Sequence, residues 1–82
     1  MKHLDVVRVI AEKAAYAKDG VHKGMYGWIC DERCISGHWL VNFPRFGEKD
    51  DIATLSVLEI DLEHADVLRA DLNEEIEKRF MP

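Results

Sequence analysis

Cysteine is scarce. Cys30 and Cys34 are the only two thiols in 82 residues, too few for the disulfide framework that holds small secreted domains together. A reducing compartment is therefore expected. Long apolar runs are missing as well: no stretch approaches the roughly 18–20 residues that span a bilayer. The opening Met1-Lys2-His3-Leu4-Asp5 is followed by an apolar run that Arg8 soon interrupts, which leaves no signal-peptide core. The expected location is the cytoplasm, away from any membrane. An excess of basic charge is also lacking. Lys and Arg number 11 against 16 Asp and Glu, a formal net charge of −5. Affinity drawn from neutralising phosphates is thereby disfavoured, and nucleic acid is not an expected partner. The segment Arg8 to Lys23 is locally basic, yet it carries Glu12 and Asp19. There is no internal repeat, low-complexity tract or linker, so one domain over residues 1–82 is expected.

What is present is an ordinary globular balance, 48% hydrophobic and 33% charged, too apolar for a disordered chain. A chain of this size can bury one modest core. Val6-Val7-Arg8-Val9-Ile10 is rich in β-branched residues and reads as a strand. Gly20 and Gly24 cut short the helix formers before them, so Ala14 to Lys23 is expected to be a long excursion loop. A second strand is expected from Trp28. A hairpin turn near Ile35 to Gly37 leads into a third, His38 to Phe43, with Trp39, Val41 and Phe43 on one face. Pro44 cannot donate to a ladder, so it is expected to mark the end of that strand or a free edge. Arg45 to Asp51 reads as a charged turn, Ile52 to Leu62 as a fourth strand with a bulge or bend, and Val67-Leu68 as a brief closing strand.

Asp71 is placed to cap a final helix, with Glu74 as its capping partner. Leu72, Ile76 and Phe80 recur on one helical face. A helix this short is marginal alone, so that face is expected to dock on the sheet or on a second subunit. A competing pattern runs one helix from His64 to Phe80, because Ala65, Leu68, Leu72 and Ile76 also fit a stripe.

These features follow an order found elsewhere. Leu4-Asp5-Val6-Val7 at the first strand, the step Gly24-Met25-Tyr26-Gly27-Trp28-Ile29, the strand Trp39-Leu40-Val41-Asn42-Phe43 and Ile52-Ala53-Thr54-Leu55-Ser56-Val57 resemble small bacterial SH3-like barrels of unknown function. The layout is also similar to the SH3-like accessory subunit of photosystem I. The resemblance covers roughly Leu4 to Leu68. It implies a mainly β fold: a five-stranded SH3-like barrel over about residues 4–70, with a short C-terminal helix over about 71–80 as an addition. It supplies no catalytic residues, and fold alone does not imply function.

Cys30, Cys34, His38 and His64 are the residue types zinc prefers. The spacing Cys-x3-Cys-x3-His departs from the tight knuckle of structural sites, and on a straight strand the two thiols lie ~13 Å apart at ~3.3 Å per residue. Strand thiols near a turn are the expected reading. Cysteine catalysis needs a thiolate beside a base in a cleft, and a small barrel offers little cleft. Glu48, Asp50 and Asp51 lack the interleaved pattern of a calcium loop and read as a solvated turn. Glu59, Asp61 and Glu63 would alternate along the fourth strand, as a charged edge or as a patch for a basic partner.

SH3-type barrels recognise partners with aromatic side chains between their loops. Tyr16, Tyr26 and Trp28, together with Glu59 and Asp61, are accordingly the expected partner-binding residues, while Trp39 and Phe43 are expected in the core. The expectation is a non-enzymatic interaction or accessory protein with no cofactor and no metal. It binds a protein partner, in the manner of an immunity protein whose acidic charge suits a basic toxin. The alternatives are a homo-oligomer paired through the C-terminal helix and a small zinc domain using Cys30, Cys34 and a histidine.

Overall fold

The computed structural model describes residues 1–47 and 49–81. Five strands form one antiparallel sheet: β1 Val6–Val9, β2 Tyr26–Ile35, β3 His38–Phe43, β4 Ala53–Leu58 and β5 Leu62–His64, in the order β4-β3-β2-β1-β5. Two helices accompany them, a single turn α1 at Ala14–Ala17 and the terminal α2 at Ala70–Arg79. Strands β4 and β5 stand at the ends of that order and do not pair, so hydrogen bonds do not close the sheet. No helix among the described residues is long and apolar enough to cross a membrane.

The two-residue alternation of a strand sorts the side chains. Val7 and Val9 of β1 point inward and are fully buried, while Arg8 faces out. On β3 the expected face of Trp39, Val41 and Phe43 is the buried one. Strand β2 carries β1 on one side and β3 on the other. Gly27 sits where these pairings meet. A Cβ there would lie 2.6 Å from both the Asn42 carbonyl oxygen and a Val41 methyl, so only a hydrogen fits. The β2–β3 turn is Ser36-Gly37, both left-handed at φ 52° and 76°, the backbone of a tight hairpin that suits strand twist.

Three departures from the sequence reading have physical causes. The stretch Ile52 to Leu62 is not one strand. It ends as β4 at Leu58, makes a 3-10 turn over Glu59–Asp61 and resumes as β5, which pairs with β1. The chain must leave one end of the sheet for the other, and a single straight strand cannot do that. Val67 and Leu68 consequently lie in the connection to α2 rather than in a closing strand. Finally, α2 starts at Ala70 with Arg69 in the cap position and no side-chain cap. Asp71 is inside the first turn, held by the Arg69 guanidinium at 2.8 Å, where its charge still favours the helix dipole. The single helix from His64 does not form.

The excursion between β1 and β2 is more than a loop, because it supplies the second layer of the core. Val21 and Met25 are fully buried and Tyr16 nearly so. Helix α2 then docks on the same sheet. Its fully buried residue is polar: Asn73 accepts from the Tyr26 amide at 2.6 Å and donates to the Tyr26 and Pro44 carbonyls at 2.7 and 2.9 Å. Ile76 is buried against Gly24, where a Cβ would meet its methyl at 3.1 Å. Phe80 stacks on His22 with ring centroids 3.5 Å apart. Arg45 adds a two-pronged pair to Glu77. Of the helical stripe read from the sequence, Ile76 is thus buried on the chain's own sheet, Leu72 is half-buried, and Phe80, though stacked on His22, stays 55% exposed.

Candidate functional site

The residues expected to bind a partner separate into two groups. Tyr16, Glu59 and Asp61 meet where the 3-10 turn passes the long loop. The Tyr16 hydroxyl donates to Asp61 Oδ2 at 2.6 Å and accepts from the Leu58 amide at 3.2 Å. Lys13 Nζ stands 2.6 Å from the same carboxylate, and Trp39 Nε1 donates to Glu59 Oε1 at 2.8 Å. Burial raises the Asp61 carboxyl, but the Lys13 ammonium and the Tyr16 hydroxyl outweigh it, and the group ends below its ordinary range. The Tyr16 phenol is pushed up, by burial first and then by its bond to Asp61. Tyr16 and Asp61 are each only 5% exposed. They fasten the loop to the turn and offer a partner no surface. The acidic row Glu59, Asp61, Glu63 is thus not a strand face: Asp61 turns inward, and Glu63 pairs with Arg8 across the β1–β5 ladder at 2.8 Å.

Tyr26 and Trp28 form the second group, on the outward face of β2. Trp28 donates its Nε1 to Asn42 Oδ1 at 3.1 Å, and Asn42 in turn donates to Asp51 and Thr54. Tyr26, opposite Arg8 in the β1–β2 ladder, lines two neighbouring grooves. One runs toward Glu63 and Asp66. The other lies under α2 with Lys23 and Arg79 at its rim.

A third and larger groove, about 440 Å³, opens at the β2–β3 hairpin. It exists because the register of β2 slips: Ile29 faces Val41, but Cys34 already faces Trp39. The surplus residues lie between Ile29 and Cys34, and Asp31 and Arg33 from that stretch line the groove with Ile35, its ladder partner His38, Leu40 and Ser56. Ile35 is 60% exposed there. Arg33 grips both oxygens of Asp31, and this side-chain pairing holds the carboxyl down at about 2. His38 directs Nδ1 at the Ser36 carbonyl, 3.0 Å away. With Asp31 committed to Arg33, no carboxylate among the described residues bonds that imidazole to orient it as a base. The Cys30 thiol lies 3.6 Å from the Leu40 carbonyl and is pushed up by burial, the opposite of an activated nucleophile. Both cysteines are free thiols. His64, on β5, is held by Asp5 just before β1, and no group of three or more His, Cys, Asp or Glu among the described residues is set to hold a metal. Of the charged turn, Glu48 lies outside the described residues, and the main-chain carbonyls of Asp50 and Asp51 accept from Arg45.

Beside this groove runs β4, one edge of the sheet. Its six residues, Ala53-Thr54-Leu55-Ser56-Val57-Leu58, contain no charge and no proline. The Glu59 amide bonds the Gly37 carbonyl, which fixes the parity of the β3–β4 ladder. Val57, Leu55 and Ala53 bond inward to β3, and Thr54, Ser56 and Leu58 turn their N–H and C=O groups off the edge. Leu58 N–H is met by Tyr16, whereas Thr54 and Ser56 are exposed. Neither the slipped hairpin nor this open edge was read from the sequence. Ser36-Gly37 marked the turn, but nothing in Cys30 to Arg33 announces a register slip.

No family model matches this chain, and neither a curated protein nor a solved structure matches it.

Proposed function

We propose that this chain is a non-enzymatic interaction module of SH3-like build that binds a protein partner at the hairpin groove and the adjoining β4 edge. A long first loop, a tight hairpin and a 3-10 turn that returns the last strand to the first agree with the SH3-like layout implied by the sequence resemblance. The observation that carries the binding reading is the juxtaposition of an apolar-floored groove with an uncharged strand edge, a combination that soluble proteins ordinarily blunt or cover. Tyr26 and Trp28 extend the same outward face. The net charge of −5 favours a basic partner through faster encounter, as an immunity-type protein acting in the cytoplasm would need. The face of α2 is less suited to self-association, since Asn73 and Ile76 are engaged on the chain's own sheet and only Phe80 of the stripe is mostly exposed.

The test is to mix the purified chain with the products of its neighbouring genes and measure binding by calorimetry, for the wild type and for Ile35→Asp. A complex weakened about tenfold or more by the substitution is expected, the cost of setting an uncompensated charge against an apolar contact. Absence of any complex, or one indifferent to Ile35→Asp, counts against the reading.

A further inference from the structure

We infer that the partner adds an extended strand to the β4 edge, and that this strand carries lysine or arginine on both flanks of an uncharged, alternating stretch. This rests on the interaction reading above and specifies its mode. The two edges of the sheet are unequal. Strand β5 has three residues, two of them Glu63 and His64, each tied to a neighbour on the β1 side. Strand β4 has six residues with no charge, and the N–H and C=O groups of Thr54 and Ser56 point off the ladder between two points where the long loop touches the edge. Those points are Tyr16 at Leu58 and Gly20 at Ile52. An incoming strand finds a row of main-chain donors and acceptors there, as in other strand-addition complexes. Its outward side chain beside Ser56 reaches the groove floored by Leu40 and rimmed by Ile35.

Charge selects the occupant. Asp50 and Asp51 precede β4 and Glu59 follows it. A second copy of this chain set antiparallel, with Thr54 opposite Ser56, places Asp51 opposite Glu59 at both ends of the new pairing. Like charges directly opposite destabilise a ladder. A strand with basic flanks meets the same carboxylates favourably and is steered toward a chain of net charge −5. The edge is therefore closed to self-pairing by its flanks while its centre stays open.

The experiment titrates the isotope-labelled full chain with a synthetic peptide of alternating threonine and valine flanked by lysine pairs, and with its glutamate-flanked twin. Resonance shifts and slowed hydrogen exchange at the Thr54 and Ser56 amides are expected. The lysine peptide should bind about tenfold tighter than its twin, from several exposed ion pairs acting together, and less so at high salt. Ser56→Pro should abolish binding, because its N–H faces solvent and is dispensable to the fold but not to the added strand. Asp50→Lys keeps the edge intact and should narrow the preference between the twins several-fold. Equal binding of the two peptides overturns the inference. Shifts at Arg33, Ile35 and His38 without Thr54 and Ser56 overturn strand addition while leaving the groove as the binding surface. Shifts nowhere remove both. A dimer in sedimentation equilibrium that Ser56→Pro dissociates also overturns it, by assigning the edge to a second copy.

Discussion

Two regions of this molecule treat their polar groups in opposite ways. Where the long loop meets the 3-10 turn, and where α2 meets the sheet, polar groups are matched: Tyr16 with Asp61 and the Leu58 amide, Asn73 with Tyr26 and Pro44, Arg45 with Glu77. No buried side-chain nitrogen or oxygen among the described residues lacks a partner. Along β4 the main-chain groups of Thr54 and Ser56 face off the sheet, and at the hairpin a large apolar residue, Ile35, stands exposed. In a small domain with one modest core, the first arrangement supplies the rigidity that lets the second stay open. Removing a mate in the knit region should therefore cost stability, and altering the open region should not.

The largest effect is expected at Asn73. Asn73→Ala leaves the Tyr26 amide and two carbonyls without partners beneath α2, at about 1–3 kcal/mol for each buried group that water cannot reach. A loss of about 3 kcal/mol in urea unfolding, with early exchange of the α2 amides, is the expected result. A loss under about 1 kcal/mol would mean that α2 is held by Ile76 and Arg45 alone.

Tyr16→Phe comes next. It keeps the ring in the core but removes the hydroxyl that serves both Asp61 and the Leu58 amide. Lys13 still faces the carboxylate, so a smaller loss of about 1–2 kcal/mol is expected by chemical denaturation.

Most of the architecture was legible before the structure. The β-branched run from Val6 placed the first strand, period-two alternation in His38 to Phe43 placed another together with its buried face, and Ser36-Gly37 placed the hairpin. The helix was found from Leu72, Ile76 and Phe80, although its deepest residue is Asn73, which no apolar stripe can announce. Tyr16 and Asp61 were singled out as residues for a partner, and instead they bond each other. Their direction was not legible, because whether a polar side chain faces in or out depends on a partner forty-five positions away. The binding surface was the least legible part. It arises from a slip of register in β2 and from which strand ends up at the edge, both properties of pairing between segments rather than of any one segment.

A smaller effect is expected from acid. The Asp61 carboxyl is held below its ordinary value of 3.8 and the Glu77 carboxyl below 4.5. A group depressed in the folded state contributes stability that is complete above its unfolded value and lost as pH falls through the folded one. Unfolding free energy should thus be level near neutrality and decline below about pH 4. The gap between wild type and Asp61→Asn should narrow over the same range, since protonation removes the charge that the variant lacks. A gap that widens on acidification would contradict the assignment of Asp61 as an anion fastened by Lys13 and Tyr16.

The smallest effects belong to the open region, and they decide whether the contrast holds. Ser56→Lys places a long cation on an exposed edge position, and Ile35→Asp removes an apolar side chain that is 60% in solvent. Neither deletes a core contact or a buried hydrogen bond, so each should change unfolding free energy by less than about 0.5 kcal/mol. Lysine on an edge strand is itself a common device against unwanted pairing. A chain that accepts it without cost has no internal use for that edge. If either substitution instead cost more than about 1 kcal/mol, the hairpin and β4 would be supporting the fold, and their exposure could no longer be taken as room kept for another molecule.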